Sequence, residues 1–597
     1  MNIEENLQQV VIKAVSELYG KAAVDSMVQV QKTKKEFEGD LTIVVFPLLK
    51  LSAKKPEDTA SEIGEYIIKN WEHAKKFNVV KGFLNITLKS SVITELLLKI
   101  NSQENFGITP ITEKSKKILL EFSSPNTNKP LHLGHLRNNF LGDSISRILK
   151  AGGNNVIKVN LVNDRGIHIC KSMLAWQKWG NGETPETSGL KGDHLIGKYY
   201  VLFDQHYKEE IKNLIAQGLT EEQAKQQAPS IIEAHQMLQK WESGDKETVA
   251  LWKKMNNWVY DGFDVTYKLM GISFDKIYHE SETYLEGKSY VLDALNKGIC
   301  KKAEDGSVFV DLTEDGLDQK ILLRSDGTTV YMTQDLGTAA MRYREFGFDQ
   351  HIYVVGNEQD YHFKALKLVL KKMGFSWSDA IKHFSYGMVE LPNGKMKSRE
   401  GTVVDADDLI AEMTETARKT SEELGKLNEM SKEQQDVTVS TIAMAALKYF
   451  ILKVDPRKTI LFNPAESIDF NGNTGPFVLY TYARIRSIFR KLEEKQIRRV
   501  TLSPDYEQFS TSEAELVKRI NDFPGIIAEA CNLCSPAQIA NYVYDLCKLY
   551  NQFYHDCQIV GEENDQAREF RIILSDNTSK VIAKCLNMLG INVLEKM

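Results

Sequence analysis

The chain has 597 residues, which is enough for three or four domains that each bury a core. Its hydrophobic content of 42% and charged content of 26% are ordinary for a globular enzyme, and no apolar run approaches the roughly 18 residues of a membrane-spanning helix. A net charge of −6 argues against a generally basic nucleic-acid binder but permits local basic patches.

The N-terminus and the cysteines indicate where the protein works. The first ten residues carry early acids and no apolar segment, so no secretory signal is predicted. Seven scattered cysteines suit reduced cytosolic thiols, and Cys531 and Cys534 have no second pair that would complete a zinc site. We therefore expect a cytoplasmic protein with no metal site.

Residues 1–108 are predicted to form a separate α+β domain. Helical periodicity over Ile3–Leu18 gives way to a stretch at Gly39–Val45, a helix at Thr59–Trp71 and a strand-like segment at Phe83–Thr87.

From about residue 109 strands and helices alternate. A strand at Ile118–Ser123, a helix at Leu136–Ala151 and a strand at Val156–Val162 predict one half of a doubly wound, Rossmann-type α/β sheet. Residues 176–323 interrupt this rhythm with a polar helical segment and short strands, so we predict an insertion there.

The second half of the sheet is expected between residues 329 and 391. Its predicted strands and helices alternate in the order Thr329–Met332, Thr338–Phe346, His351–Val355, Phe363–Met373 and Phe384–Leu391. The helical pattern after about residue 440 predicts an all-α bundle over residues 441–597. The predicted fold class is thus α/β, with an α+β domain before it and a helical bundle after it.

The sequence His132-Leu133-Gly134-His135 lies between the first predicted strand and helix. Two histidines at i and i+3 share a face if a helix begins here, and the helix N-terminus after a strand is where α/β sheets hold phosphates. With Lys129 just before them, these donors could clamp a nucleotide triphosphate. The absence of GxxxxGK[ST] disfavours a P-loop ATPase. The alternative is a histidine pair that only caps the helix.

Far downstream, residues 394–398 read GKMKS. A charged glycine turn is usually solvated surface when taken alone. The order of the two motifs, with a sheet pattern between them, resembles the HIGH and KMSKS signatures of class I aminoacyl-tRNA synthetases. Lys395, Met396, Lys397 and Ser398 would be the first four letters of the second signature.

Four further blocks resemble the signatures of arginyl-tRNA synthetases, in the right order and across nearly the whole chain. They begin at Glu121 (EFSSPNTNKP), Tyr331 (YMTQDLG), Tyr353 (YVVGNEQDYH) and Gly472 (GNTGPFV). The resemblance implies a tRNA-contacting N-terminal domain at 1–108, a class I catalytic domain at 109–440 with its connective insertion at about 176–323, and a helical anticodon-binding domain at 441–597.

The resemblance also implies a role for each motif residue. The residues expected to bind ATP, which arrives with Mg²⁺, are His132, Gly134, His135, His362, Lys395, Met396, Lys397 and Ser398. The residues expected to bind L-arginine are Glu121, Ser124, Asn126, His132, Tyr331, Asp335 and Gln359. The expected catalytic residues are His132, His135, Lys129 and Lys395.

The chemistry of arginine agrees with this assignment. Its guanidinium is a planar fork of donors that a carboxylate can meet bidentately, so a selective pocket needs a fixed acid. Tyr331 and Asp335 are at i and i+4 and share a face if a helix begins there. The alternatives are that Asp335 only complements a helix dipole and that Tyr331 is ordinary core.

The second signature lacks one lysine, because Ser398 stands where KMSKS has its second lysine. In arginyl enzymes a lysine just before HIGH is thought to substitute, and Lys129 occupies that position here. Further on, Arg484, Arg486 and Arg490 crowd one helical stretch and are expected to contact tRNA. The alternative for them is a solvated amphipathic helix.

The implied activity is that of an arginine–tRNA ligase. L-Arginine and ATP give arginyl-adenylate, and the arginyl group passes to the 2′-hydroxyl of the terminal adenosine of tRNA(Arg), with activation dependent on bound tRNA. We expect tRNA(Arg), L-arginine and ATP as partners of a monomer, with no DNA, membrane or tightly bound cofactor. Alternatives are a class I synthetase for lysine or glutamate, a smaller adenylate-forming relative, and a non-catalytic tRNA-binding or regulatory paralogue.

Overall fold

The computed structural model describes residues 3–34, 36–390, 404–428 and 430–597, and the chain divides into two compact units. Unit 1 comprises residues 1–106, 488–522 and 549–578. Unit 2 comprises residues 107–487, 523–548 and 579–597. Both units are discontinuous in sequence, so they do not correspond one to one with the three domains predicted from the sequence.

Unit 1 contains a four-stranded antiparallel sheet in the order β1-β2-β4-β3. Its strands are β1 (Gln29–Lys32), β2 (Leu41–Val44), β3 (Ala74–Val80) and β4 (Phe83–Leu88). The helices of its N-terminal segment are Ile3–Tyr19, Leu49–Ser52, Pro56–Asn70 and Ser91–Asn101. Buried aliphatic residues from helices and strands, such as Leu7, Ile63 and Ile86, form one core between them. The α+β prediction is confirmed, although it lacked β1 and β3.

C-terminal segments complete this unit. Thr94 donates a hydrogen bond to the carbonyl of Tyr506 at 2.6 Å, and Lys518 forms an ion pair with Asp40. The helix Thr511–Asn521 is capped by Ser510, whose hydroxyl accepts from the amide of Glu513 in a capping box.

Unit 2 is built on a five-stranded parallel sheet in the order β12-β11-β5-β6-β7. The strands are β5 (Lys117–Glu121), β6 (Asn155–Val162), β7 (Lys276–His279), β11 (Gln350–Gly356) and β12 (Ile381–Tyr386). The strand order reverses between β5 and β11, and ligands of such sheets bind beyond the carboxyl ends of the strands at this point. The doubly wound prediction is confirmed.

Two details of the prediction are wrong. Residues 329–332 do not form a strand, because the helix Tyr331–Phe346 already includes the last two of them. The edge strand that pairs with β6 is β7, and it lies within the stretch predicted to be an insertion. Four residues between a long helical segment and another helix give too short a pattern to identify a strand from sequence.

The helices of unit 2 cover the sheet and build the insertion. They are Leu133–Ala151, Ile167–Trp179, Pro185–Ser188, Gly192–Ala216, Glu221–Gln227, Pro229–Glu242, Lys246–Met270, Glu280–Thr283, Glu286–Asn296, Tyr331–Phe346, Asp360–Lys372, Ala406–Glu423, Lys432–Leu452 and Pro464–Ser467. Two small sheets accompany them, β8 (Cys300–Lys302), β9 (Val308–Val310) and β10 (Lys320–Leu323) in one, and β13 (Val389–Glu390) with β14 (Ile460–Leu461) in the other.

The C-terminal part of the chain is helical, as predicted. Its helices after residue 470 are Gly475–Glu494, Thr511–Asn521, Phe523–Leu533, Pro536–Asp556 and Asp565–Met588. Within the described ranges, no helix combines the length and apolarity needed to cross a membrane.

Candidate active site

The two histidines of the HxGH motif lie at the start of the helix Leu133–Ala151. His132 is the N-cap residue, and its Nδ1 accepts from the amide of Gly134 at 3.1 Å. His135 returns the interaction, because its Nδ1 accepts from the amide of His132 at 3.1 Å. The ring centroids are 3.9 Å apart, so the two side chains share one face as predicted. The motif is therefore both a helix cap and a paired donor site.

This capping arrangement fixes the chemical state of both rings. Each Nδ1 accepts a hydrogen bond, so each neutral ring carries its proton on Nε2 and can donate from there. Burial, with the charge of Lys129 adding to it, lowers the pKa of His132 to about 4 and holds that of His135 well below its usual range. Near neutral pH the pair offers two uncharged N–H donors.

Gly134 is required by close packing inside the motif itself. A Cβ at this position would lie 2.9 Å from Cε1 of His132, which is closer than real Cβ atoms come. A side chain here would push the His132 ring out of its capping position.

A cavity of about 550 Å³ opens at the carboxyl ends of β5 and β11. Its lining combines the histidine motif with Ser123, Ser124, Asn138, Val354 and Glu358. This is the switch point of the sheet, where open α/β folds bind nucleotides. We call it the nucleotide cavity.

Lys129 lies on the other side of His132. It lines a second cavity of about 560 Å³ together with His132, His194 and Asp405. Burial lowers the pKa of the Lys129 ammonium. Lys129 shares this cavity with the first motif histidine, and the catalytic role that the resemblance gives it stays a prediction.

The lysine-rich loop lies outside the described residues, so Lys395, Met396, Lys397 and Ser398 are not placed. The chain that follows it is joined to the histidine motif. The amide of Leu133 donates to the carbonyl of Val404 at 3.1 Å, and the amide of Ala406 donates to the carbonyl of Leu131 at 3.0 Å.

A third cavity of about 630 Å³ lies beyond β6 and beside the helix Tyr331–Phe346. Asn126, Tyr331 and Gln334 line it, with Arg165 and Glu280 in the same wall. Tyr331 is 76% exposed, so it is not the ordinary core residue of the alternative interpretation. We call this the arginine cavity, after the ligand that the resemblance predicts for Asn126 and Tyr331.

Asp335 follows Tyr331 by one helical turn and is half-buried. Its Oδ2 lies 2.6 Å from Nε2 of His362. His362, which the resemblance assigned to ATP, is therefore in direct contact with the expected guanidinium acceptor.

Glu121 ends β5 and is buried. Its Oε2 forms an ion pair with the fully buried Arg342, and its Oε1 accepts from the Ser124 hydroxyl at 3.2 Å. Gln359 ends the turn after β11 and is exposed. Glu121, one of the predicted arginine-binding residues, is therefore already paired with the cation Arg342.

Sequence reasoning missed the acids that line the arginine cavity, which are Glu242, Asp326 and, the least exposed of the three, Glu280. It directly follows β7, and its side chain is 12% exposed. Burial, opposed by Arg165 and supported by Asp164 and Asp335, raises the pKa of Glu280 to about 7. An acid at the carboxyl end of a parallel strand is a recognisable signal, but it depends on identifying β7.

The basic stretch predicted to contact tRNA is partly engaged within the protein. Arg486 forms an ion pair with Glu595 at 2.9 Å, and Arg484 lies 4.9 Å from the centroid of the Tyr480 ring. Arg490 is half-buried on the same helix. Contact of these residues with tRNA stays a prediction.

Three family models match the chain. The model described as "tRNA synthetases class I (R), catalytic domain" matches residues 95–463, and "DALR anticodon binding domain" matches residues 478–597. "Arginyl tRNA synthetase N terminal domain" matches residues 2–88. The domain limits at residues 108 and 440 stay predictions.

Relatives of known name match this chain over its full length. Proteins named arginine–tRNA ligase from Parabacteroides distasonis and Bacteroides thetaiotaomicron are 58% and 57% identical to this chain, with all of both chains covered. The solved arginyl-tRNA synthetase of Thermus thermophilus has a TM-score of 0.78 at 23% identity over all of both chains, which shows a shared fold. Since a family model covers more than half of the chain and these relatives match it from end to end, the chain belongs to the arginyl-tRNA synthetases, a family of class I aminoacyl-tRNA synthetases.

Proposed function

We propose that this chain attaches L-arginine to tRNA(Arg) at the expense of ATP. In the first step a carboxylate oxygen of arginine attacks the α-phosphate, so that a C–O–P bond forms and pyrophosphate leaves. In the second step the 2′-hydroxyl of the terminal adenosine attacks the arginyl carbonyl, loses its proton, and AMP leaves. The observation that carries the proposal is a donor-lined nucleotide cavity and an acid-lined arginine cavity at the carboxyl edge of one sheet.

The nucleotide side works by positioning and by stabilising charge. Nε2–H of His132 and of His135 would donate to phosphate oxygens, and Gly134 keeps the first ring in place. Lys129 would neutralise charge that develops towards pyrophosphate, with Lys395 of the loop doing the same. ATP enters as its Mg²⁺ complex, so the metal arrives with the substrate.

The arginine side would recognise the guanidinium fork with two carboxylates. Asp335 is held by His362, and Glu280 lines the cavity with a guanidinium nitrogen of Arg165 at 3.9 Å. Two acids and the Tyr331 hydroxyl suit a planar group with several donors better than the point charge of lysine. Glu121, Ser124, Asn126, His132 and Gln359 would hold the backbone end of the amino acid.

A small cavity on unit 1 supports tRNA contact by the N-terminal domain. About 200 Å³ is enclosed between the exposed rings of Phe37 and Phe83, with Lys34, Lys81 and Asn85 beside them. Aromatic rings next to lysines suit an unstacked base and its phosphate. We include tRNA binding at this surface in the proposal.

Two further parts of the proposal rest on family resemblance, namely activation that requires bound tRNA and a monomeric state. ATP–pyrophosphate exchange with and without tRNA tests the first, and exchange that is fast without tRNA would reject it. Sedimentation of the purified chain tests the second, and a stable dimer would reject it.

The decisive experiment is aminoacylation of total tRNA with each amino acid in turn. We expect charging with arginine and not with lysine. Equal charging with lysine would reject the assignment of the cavity, and tRNA binding without any charging would favour a non-catalytic paralogue.

A further inference from the structure

The wall of the arginine cavity contains the cations Arg165, Lys288 and Arg324, which is unexpected for a pocket that receives a cation. Arg165 lies just after β6, and its side chain is only 11% exposed. Its guanidinium carbon is 4.0 Å from the centroid of the Tyr284 ring and 5.6 Å from that of Trp241. Two aromatic rings therefore hold this side chain in one place.

Two carboxylates face this guanidinium from different elements. Nη2 donates to Oε1 of Glu242 at 2.9 Å, and Nη1 lies 3.9 Å from Oε1 of Glu280. Glu242 is the last residue of the insertion helix Pro229–Glu242, where the helix dipole disfavours an acid. Its position is explained by Arg165, whose charge it neutralises.

Glu280 is held in the same place from its backbone side. Asp164, which precedes Arg165 and is 1% exposed, accepts from both the amide and the hydroxyl of Ser281 at 2.8 Å. The hydroxyl of Tyr260 also donates to Asp164 at 2.8 Å. Residues 164 and 165 therefore contact residues 280 and 281 in two places. One is the pair of hydrogen bonds between Asp164 and Ser281, and the other is the ion pair between Arg165 and Glu280.

We infer that Arg165 is a positioning residue for Glu280, which keeps that carboxylate ionised and oriented for the guanidinium of the substrate. The inference deepens the proposed function and rests on it, since it assumes that arginine occupies this cavity. Arg165 acts through Glu280 without binding the substrate itself, because Glu242 neutralises its charge and the rings of Trp241 and Tyr284 confine it. The insertion contributes to amino-acid recognition through Trp241 and Glu242.

The arrangement has a pH signature. Glu280 must be ionised to accept the fork, its pKa is raised to about 7, and Arg165 is the group that opposes this rise. Loss of the Arg165 charge raises the pKa further, so a smaller fraction of Glu280 is ionised at any pH below about 8. The other titratable and charged groups around Glu280 or in the same cavity are Asp164, Glu242, His279, Glu282, Lys288, Arg324, Asp326 and Asp335.

The test is the KM for arginine between pH 6.5 and pH 8.5, measured by aminoacylation with saturating ATP and tRNA. For Arg165→Gln we expect a KM about tenfold above wild type at pH 6.5 and within about twofold at pH 8.5. Arg165→Lys keeps the charge and should restore most of the difference. Arg344→Met removes an exposed Arg–Glu pair from the helix Tyr331–Phe346 and serves as the matched control with an unchanged pH profile.

The Glu280→Gln background assigns the effect to Glu280. There Arg165→Gln should add no pH-dependent change, because the group that titrates is gone. A KM raised equally at every pH, or the same pH dependence in the Glu280→Gln background, overturns the inference. Failure of the wild type to charge tRNA with arginine would instead reject the proposed function, so the two failures are distinguishable.

Thermal melting shows whether Arg165→Gln folds. If it does not, the pH profiles of the wild type and of Arg165→Lys decide. A pH profile of Arg165→Lys identical to that of Glu280→Gln would overturn the inference.

Discussion

The nucleotide cavity and the arginine cavity solve the recognition of charged groups in opposite ways. On the nucleotide side, His132 and His135 are uncharged donors whose protonation is fixed by backbone amides a few residues away. On the arginine side the acids have positively charged or titratable partners from distant parts of the chain, Arg342 for Glu121, His362 for Asp335 and Arg165 for Glu280.

This difference follows from what each cavity binds. Phosphate oxygens are met by neutral N–H donors that need no counterion and tolerate burial. A guanidinium requires carboxylates, and a buried carboxylate without a partner would take up a proton instead. Each acid therefore needs a neighbour that keeps it charged while leaving an oxygen available to the substrate.

The largest expected effect tests the neutral-donor side. His135→Ala removes one preorganised donor to the α-phosphate region and should lower kcat by about 100- to 1000-fold. It also removes the acceptor for the His132 amide, which should cost about 1 kcal/mol of stability. Steady-state aminoacylation measures the loss in kcat, and thermal unfolding measures the loss in stability.

His235→Ala is the matched control, because His235 is an exposed helical histidine of the insertion. It should leave kcat unchanged. A His135→Ala enzyme with kcat within about twofold of wild type would mean that the pair only caps the helix.

The next effect tests the acid side. Asp335→Ala should raise the KM for arginine by about 10- to 100-fold, since a charge-assisted hydrogen bond contributes about 1.5–3 kcal/mol. The KM for ATP should stay within about twofold, although His362 loses its partner. Asp293→Ala removes an acid from an exposed ion pair on a neighbouring helix and should change neither constant. An arginine KM within twofold of wild type would place Asp335 outside the pocket.

The same contrast explains what could be predicted from the sequence. The histidine motif is local, so a strand, a helix start and two histidines at i and i+3 are enough to predict its geometry. The sequence also predicts that Tyr331 and Asp335 share a helix face, because they lie one turn apart on the helix that starts at Tyr331.

The rest of the arginine side is assembled from distant segments. Glu280 follows the four-residue strand β7, which has no distinctive period within a helical surrounding, and its partner Arg165 follows β6. The strand predicted at residues 329–332 failed because β-branched residues there gave a local preference that the helix start at Tyr331 overrode. Fold class depends on repeated patterns, whereas this pocket depends on single residues that only the folded sheet brings together.

A moderate effect separates the two cavities by pH. The pKa of Glu280 is raised to about 7, so its charge is lost as the pH falls and the wild-type KM for arginine should rise about tenfold from pH 8 to pH 6. The pKa of His132 is lowered to about 4, and burial also holds that of His135 well below its usual range. Both therefore stay neutral across this window, and the KM for MgATP should change by less than about twofold. An ATP KM that follows pH as steeply as the arginine KM would contradict the division between neutral and ionised recognition.

The smallest effect concerns Lys129, which with Lys395 is expected to bring positive charge to the neutral pair. Lys129 is half-buried and close enough to lower the pKa of both histidines, which suits a residue that supplies the charge Ser398 cannot. Lys129→Ala should then lower kcat about as much as Lys395→Ala, because both lysines would stabilise charge that grows in the transition state. Ser398→Lys should recover part of the loss, by about three- to tenfold, while changing the wild type little.

Lys178→Ala, which breaks a surface pair with Glu233, is the matched control and should leave kcat unchanged. Strict additivity of Lys129→Ala and Ser398→Lys would show that the two positions do not share a task, and would leave the neutral histidines without a compensating lysine.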